Sequence, residues 1–365
     1  MNSSFPISVK SQYNPNDIVD FLLSFENKSI LPNSIRIKGI LNITDNNGAA
    51  TDITTTTNFN FDYIGIHSFF SGFTSSSQKN GVIENWSSEY PRYTRAKYIA
   101  NNSRQKLSSS SLSAPELKHG AVRSSKFLLA NDARNTADKN RVPFSFKPEI
   151  AWNKSNIAIN HDKTGDIKLS LRLATAAQVF ANPNAGNFSY NITELQVEYM
   201  STLKKATGPL QMEVIQMVRN TAESNNTNIS TKVPVVARSM TILFRQQGKL
   251  DNATEIHTRL EEPPKIERIE YQFNDSTQKY VTYALESREE FLANFQQSLG
   301  GDPMNGKHFL PVANEYHMES FFGLGLDFGE YLDLSKNKIG FNMKSSITSN
   351  LPYAVFMYFR GLVSL

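Results

Sequence analysis

The sequence predicts an all-β chain built from two tandem β-sandwiches, each carrying a short inserted helix. Three observations lead to this fold class: segments of alternating apolar and polar residues recur, aromatic residues make up 11% of the chain, and the order of predicted elements repeats once. A length of 365 residues suits two domains of about 150–200 residues each. We therefore expect a first domain at residues 1–204 and a second at residues 205–365.

The clearest strand pattern lies in the middle of the chain, where two alternating segments follow each other. Asp166–Ala174 has an apolar residue at every second position, and Tyr190–Met200 alternates in the same way but slips once. A period of two indicates a pleated strand with one buried face. The end of the chain repeats this arrangement with Lys338–Ser345 and the long apolar segment Tyr353–Leu365.

The remaining elements of the first half precede this strand pair. Asn16–Phe25 fits either a short capped helix or a strand, and Glu89–Asn102 has partial helical spacing. Residues from about 103 to 141 form a long Ser-rich, basic loop. The other predictions are strands at Ser34–Ile43, Thr51–Phe61 and Val142–Ile150, and a turn at Asp45–Gly48.

The second half repeats the order of strands, helix, loop and closing strands. Its helix is Glu286–Leu299, in which Phe291 and Phe295 lie four residues apart on one side and two glycines follow the last residue. We predict strands at Pro209–Arg219, Val233–Phe244, Ile266–Phe273 and Val281–Leu285, and a polar loop at Asn220–Thr231. This matched order predicts that one sandwich architecture occurs twice.

Composition and motifs exclude several classes of function. The chain has no cysteine, so it has neither disulfides nor thiol chemistry, and its net charge of +4 is too small for a strong nucleic-acid binder. Met1–Lys10 does not read as a secretion signal, and no apolar run is long enough for a membrane helix. Asp327–Asp333 reads as a solvated turn, and Gly323–Gly325 lacks a dinucleotide-binding frame. We therefore predict no enzyme, no cofactor and no metal site.

Five short segments resemble a known family. Gly65–Ser71, followed about twenty residues later by Tyr90–Tyr93, resembles a region of double jelly-roll major capsid proteins. These are the coat proteins of icosahedral DNA viruses in the lineage of adenoviruses, virophages and membrane-containing phages. Asp166–Leu173 and Tyr190–Tyr199 resemble the last strands of the first roll, and the segment from Leu351 to Leu362 resembles a closing strand of the second.

The resemblance implies a double jelly roll of two eight-stranded sandwiches and a structural role in a viral capsid. The expected assembly is a homotrimer with six pseudo-equivalent sandwiches, a pseudo-hexameric capsomer of an icosahedral capsid. The protein would be made in the host cytoplasm and located in the virion. The partners implied are other copies of the chain, penton and minor capsid proteins and an internal membrane, but no sequence-specific nucleic acid.

The long basic loop supplies the candidate inter-subunit contacts, because it gains little by packing on its own sandwich and an ordered loop would need a partner. These candidates are Lys118, Arg123, Lys126, Phe127, Leu128, Leu129 and Arg134. The alternative function is a two-domain β-sandwich module that binds a ligand, such as a carbohydrate-binding or adhesin protein. A jelly-roll enzyme is a third alternative, which would need a metal cluster or a carboxylate pair across a cleft.

Overall fold

The fold is that of a computed structural model, in which two β-sandwiches follow each other along the chain. The prediction of an all-β double jelly roll, with a helix inserted in each roll, is confirmed. The residues described are 1–51, 64–86, 88–101, 140–180, 188–222, 226–233, 235–250, 257–261, 263, 266–274, 279–285, 287–300, 322–333, 338–345 and 352–365.

The first sandwich consists of two four-stranded antiparallel sheets, ordered β1-β10-β4-β7 and β2-β9-β5-β6. Three short strands, β11, β3 and β8, form a small additional sheet. The strands are β1 (Asn2–Ser4), β2 (Ile18–Leu23), β3 (Ser29–Ile30), β4 (Arg36–Asp45), β5 (Phe70–Ser77), β6 (Gly81–Trp86), β7 (Arg141–Phe146), β8 (Ile159–Asn160), β9 (Ile167–Leu173), β10 (Phe188–Tyr199) and β11 (Ser201–Thr202).

The second sandwich also consists of two four-stranded antiparallel sheets, ordered β12-β19-β14-β17 and β13-β18-β15-β16. Its strands are β12 (Gln211–Ala222), β13 (Asn226–Lys232), β14 (Val236–Gln246), β15 (Ile266–Asn274), β16 (Lys279–Leu285), β17 (Leu324–Leu332), β18 (Lys338–Ser345) and β19 (Tyr353–Ser364). The α-helices are α1 (Tyr90–Asn101), α2 (His161–Thr164), α3 (Ala176–Val179) and α4 (Arg288–Ser298), and the 3₁₀ helices are η1 (Gly65–Phe69), η2 (Ala151–Lys154) and η3 (Gln247–Lys249). Among these helices, none is long and apolar enough to cross a membrane.

The two sandwiches have the same topology. When the eight main strands of each are counted in chain order, one sheet is ordered first, eighth, third, sixth, and the other second, seventh, fourth, fifth. The helix lies between the fifth and sixth strands in both sandwiches, as α1 and as α4. The predicted internal repeat is therefore present strand by strand. The domain boundary between residues 204 and 205 stays a prediction, because it falls in the connection between the two sets of strands.

Several local predictions agree with the structure. Asn16–Phe25 is a strand and not a helix, since Ile18–Leu23 pairs with β9. The slip in the alternation of Tyr190–Met200 is a register shift between Thr193 and Gln196, where β10 pairs with β4. Most of the predicted strand Thr51–Phe61 lies outside the described residues.

Two predictions need correction. Asn220–Thr231 is not a loop throughout, because the polar segment Asn226–Lys232 pairs along its whole length with β18. Asp327–Asp333 is not simply a turn between strands, because Asp327 and Leu332 both pair with β14. The register shifts between these two pairs, so the intervening residues bulge out and Gly329 adopts a φ of +80°.

The two central strands of the sheet β12-β19-β14-β17, β19 and β14, are covered on both faces. Six consecutive residues of β19, Ala354–Phe359, are buried, and so are seven consecutive residues of β14. β10 in the first sandwich instead alternates between buried and partly exposed positions. A strand that is buried on both faces needs no alternation, which explains the continuous apolar run at Tyr353–Leu365.

Helix α4 lies on the outer face of this sheet. Ser287 and Glu290 form a capping box at its start, and Gly300 follows its end with a φ of +80°. Phe291 and Phe295 are buried, as the sequence predicted. The helix packs directly on the backbone of β17, and a Cβ atom at Gly325 would overlap the Ser298 side chain.

Candidate functional site between the two sandwiches

The two sandwiches meet along a buried seam, in which the edge strand β6 packs beside β12. A short bridge pairs Ser155 with Met212 across it. The Asn156 N–H donates to the Gln211 carbonyl at 2.9 Å, and the Gln211 N–H donates to Asn156 Oδ1 at 2.8 Å. The seam is defined by α1, β6 and residues 149–156 of the first sandwich and by β12, β19 and residues 257–261 of the second.

Aromatic rings form the apolar centre of the seam. Tyr93 on α1 lies 5.3 Å from Trp86 on β6 and 5.1 Å from Tyr358 on β19, measured between ring centroids. All three side chains are buried. The Tyr358 hydroxyl donates to the Glu89 carbonyl at 3.0 Å, so its polar end is satisfied across the seam.

Arg92 is the central polar side chain of the seam, and it is fully buried. Its Nε donates to Glu89 Oε2 at 2.9 Å, and its two terminal nitrogens donate to the carbonyls of Arg259 and His257, each at 2.8 Å. The guanidinium also lies over the ring of Phe356, 4.8 Å from its centroid. One side chain of the first sandwich therefore binds two segments of the second.

Glu89 is the counter-ion of Arg92, and it lies just before α1 with a φ of +64°. His257 also faces this carboxylate, with Nε2 at 3.5 Å, while its Nδ1 donates to the Leu250 carbonyl at 2.8 Å. Burial penalises the charge on Glu89, but the charges of Arg92 and His257 outweigh it and hold the pKa of Glu89 well below its usual range.

Glu84 joins the backbones of the two sandwiches. Its Oε2 accepts a hydrogen bond from the Ala151 N–H at 2.8 Å in the first sandwich, and its Oε1 accepts one from the Ile215 N–H at 3.1 Å in the second. The side chain is buried, and this burial raises the pKa of Glu84 above its usual value. Each carboxylate oxygen thus satisfies a backbone donor on a different side of the seam.

A charged cluster lies at one end of the seam. Lys154 Nζ is 3.4 Å from both Glu149 Oε2 and Glu213 Oε1, and Lys97 Nζ is 2.6 Å from Glu149 Oε2. Burial penalises the charge of Glu149, but Lys154 and Lys97 lower the pKa of Glu149 to about 2. These residues line a cavity of about 640 Å³, together with Asn33, Arg36, Lys147, Pro148 and Asn153.

The depressed pKa of Glu149 predicts an acid-sensitive seam. Stability from this ionised carboxylate is fully present above its unfolded pKa of about 4.5, and it is lost as the pH falls towards about 2. We expect Glu149→Gln to lower the free energy of unfolding near neutral pH by an amount on the order of 3 kcal/mol. The variant should also unfold with a shallower dependence on pH across that window.

Urea unfolding at a series of pH values measures this effect. Glu330→Gln is the matched control, since Glu330 is an exposed carboxylate in the bulge of β17, and this variant should reproduce the wild-type curve. Equal pH profiles for Glu149→Gln and the wild type would contradict the prediction.

The first two segments that carried the family resemblance, Gly65–Ser71 and Tyr90–Tyr93, are in contact. His67 on η1 lies beside Tyr90 at the start of α1, and its Nδ1 is 2.9 Å from the Tyr90 hydroxyl. That hydroxyl also accepts a hydrogen bond from the Glu149 N–H at 3.1 Å. Burial lowers the pKa of His67 to about 4. The resemblance therefore falls on residues that anchor α1 to its own sandwich.

The seven candidate contacts in the basic loop lie outside the described residues, so their role stays a prediction. Sequence reasoning did not identify Glu84, Glu89 or Arg92 as functional. The available signal was the pair of charges at Glu89 and Arg92 beside aromatic residues at the start of a predicted helix. Such charges on a helix usually indicate a solvated face, and here they are buried.

The seam has the properties of a structural joint. The carboxylates Glu84 and Glu89 each contact donors or cations of both sandwiches. Within the described part of the chain, no group of three or more His, Cys, Asp or Glu side chains is arranged to hold a metal ion. The hydrogen bonds and ion pairs of Glu84 and Glu89 join the two sandwiches.

Comparisons by sequence find no relatives: no protein-family model matches the chain, and no curated protein sequence matches it. Comparisons by structure give many matches. The Faustovirus major capsid protein has a TM-score of 0.60 at 9% identity, covering 100% of this chain and 89% of that protein. The STIV major capsid protein has a TM-score of 0.51 at 10% identity, covering 100% and 97% respectively.

A protein of the Sputnik virophage is similar over the same extent, with a TM-score of 0.51 and 11% identity. The match covers 100% of this chain and 86% of the virophage protein. At such low identities, the likeness establishes the fold. All three of these proteins are double jelly-roll capsid proteins, and the chain has the double jelly-roll fold found in viral major capsid proteins.

Proposed function

We propose that the chain is a structural major capsid protein, three copies of which form a pseudo-hexameric capsomer of an icosahedral viral shell. The observation that carries this proposal is the fold. Two jelly rolls of identical strand order lie in one chain, and capsid proteins of this fold match the chain over its full length. Three such chains would place six similar sandwiches around one axis.

The seam supports the proposal, because the two sandwiches of a capsid subunit have to keep one relative orientation within the shell. Arg92 of the first sandwich binds two backbone carbonyls of the second, and Glu84 accepts a hydrogen bond from a backbone N–H on each side of the seam. Tyr93 and Tyr358 pack across the seam. Buried, satisfied polar groups of this kind specify one relative orientation of two packed layers. The two sandwiches would therefore enter the shell as one rigid block.

The proposal includes a location and partners. The protein would be located in the virion after synthesis in the host cytoplasm. It would contact copies of itself, and also penton and minor capsid proteins and an internal membrane, but no sequence-specific nucleic acid. The candidate inter-subunit contacts of the basic loop remain part of this proposal.

The first test is the mass of the purified protein. We expect light scattering after size exclusion to give about 120 kDa, three times the chain mass of 41.1 kDa, or larger shells. Negative-stain images should show particles with six lobes around a centre. A stable monomer that binds a carbohydrate would contradict the capsid proposal and support the alternative of a two-domain binding module.

A further inference from the structure

The cavity at the end of the seam has the size of a small-molecule site. Its volume is about 640 Å³, and ligand pockets in proteins usually measure about 300–1,000 Å³. The first sandwich contributes side chains of β4, α1 and η2 to its lining, and β12 of the second sandwich contributes Glu213. The cavity therefore has walls from both sandwiches.

Two cations lie side by side in this lining. β4 and β7 are antiparallel and Ile37 pairs with Phe146, so Arg36 and Lys147 are the next two residues beyond that pair. Both of them line the cavity. Like charges directly opposite each other on neighbouring strands destabilise a sheet. An anion bound between Arg36 and Lys147 would offset this repulsion.

Arg36 is fixed by some of its nitrogens and keeps another for a ligand. Its Nε donates to Ser145 Oγ and its Nη2 to the Ser145 carbonyl, each at 2.9 Å. Its Nη1 has no hydrogen-bond partner among the described residues, and neither has the ammonium group of Lys147, which is exposed. A guanidinium held in this way is preorganised to bind an oxyanion.

The lining carries more positive than negative charge. Its charged side chains are four cations and two carboxylates, namely Arg36, Lys97, Lys147, Lys154, Glu149 and Glu213. Both carboxylates lie 3.4 Å from Lys154, and Glu149 also binds Lys97. Arg36 and Lys147 therefore have no counter-ion among these side chains. The surplus of two positive charges is complementary to an oxyanion with two or more negative charges.

We propose that this cavity binds a small soluble anion of the polyphosphate class, with Arg36 and Lys147 as its main contacts. Guanidinium and ammonium groups are the side chains that proteins use to bind phosphate oxygens. The cavity of about 640 Å³ has room for more than one phosphate group, since a water molecule occupies only about 30 Å³ of liquid. Every lining side chain except that of Pro148 is charged or carries an amide, which disfavours an apolar ligand.

An anion in this cavity would stabilise the seam. It would bind Arg36 and Lys147 of the first sandwich, and it would lie near Lys154, which forms an ion pair with Glu213 of the second sandwich. A ligand that binds the folded chain and not the unfolded chain raises the stability of the fold by mass action. This binding goes beyond the proposed function and does not depend on it.

The test is isothermal titration calorimetry of the full-length protein with sodium tripolyphosphate, at constant ionic strength and without phosphate in the buffer. We expect one site per chain and a higher thermal midpoint of unfolding at saturation. Lys147→Gln should weaken binding by about 10-fold, because one charge-assisted contact is lost. The fold of this variant should be unchanged, since Lys147 is exposed and has no partner among the described residues.

The matched control is Lys344→Gln, since Lys344 is an exposed lysine of β18 that does not line the cavity, and this variant should bind like the wild type. Glu213→Gln should act in the opposite direction and tighten binding by about threefold or more, because it removes a negative charge from the lining. The absence of saturable binding would overturn the inference, and so would equal affinities of Lys147→Gln and Lys344→Gln. Competition by vesicles of phosphatidylglycerol would also overturn it, because the cavity would then bind a lipid headgroup.

Discussion

Replacing Arg92 with methionine is expected to lower the free energy of unfolding by about 3–5 kcal/mol. The side chain is fully buried, and its loss leaves the Glu89 carboxylate without its nearest cation. The carbonyls of His257 and Arg259 also lose their donors. Urea unfolding measures the change, and two separate transitions should replace one because the seam no longer couples the sandwiches.

Two further variants test this explanation. Arg268→Met removes an arginine that is 45% exposed and pairs with Glu270, and it should cost less than about 1 kcal/mol. Adding Glu89→Gln to Arg92→Met should recover part of the loss, because the uncompensated buried charge is then removed. A cost below about 1 kcal/mol for Arg92→Met alone would show that water reaches Glu89 and that the seam is not tight.

Phe295→Ala is expected to destabilise the second sandwich by about 3–5 kcal/mol. Phe295 is fully buried between α4 and the sheet, and its ring lies so close to Gly323 that a Cβ atom there would overlap it. The ring fills the space between α4 and the residue that precedes β17, so its removal leaves a cavity in a closely packed interior. Thermal or urea unfolding measures the loss.

The controls for Phe295 are on the same residue and the same helix. Phe295→Leu keeps most of the apolar volume and should cost clearly less than the alanine variant. Gln297→Ala changes a partly exposed position two residues later and should be nearly neutral. Similar costs for Phe295→Ala and Gln297→Ala would show that α4 is peripheral to the core.

The sequence predicted the elements that depend on periodicity. Residues 166–174 alternate because one face of β9 is buried, and the slip in Tyr190–Met200 marks a real shift of register in β10. The polar strand β13 was predicted as a loop, because its sequence has almost no alternation of apolar and polar residues. Its position is determined by pairing with β18, more than a hundred residues later in the chain.

The seam could not be predicted for a different reason. Periodicity reports which face of an element is buried, but it does not report the element that covers that face. The helix α1 carries Arg92 and Arg95, yet both are buried, because their partners lie more than 160 residues away in the second sandwich. Charged residues on a helix are usually exposed. The partners that stabilise the buried charges of Arg92 and Arg95 can be identified only in the folded structure.

The cover of the sheet β12-β19-β14-β17 has a consequence for synthesis on the ribosome. Phe356 and Tyr358 on β19 are buried under α1, which belongs to the first sandwich. During translation the first sandwich emerges and folds before the second is complete. The last strand of the chain, β19, then inserts between β12 and β14, and its outer face packs against the first sandwich, which is already folded. If the first half misfolds, Phe356 and Tyr358 on the outer face of β19 lose their cover, and the second sandwich carries an exposed apolar surface.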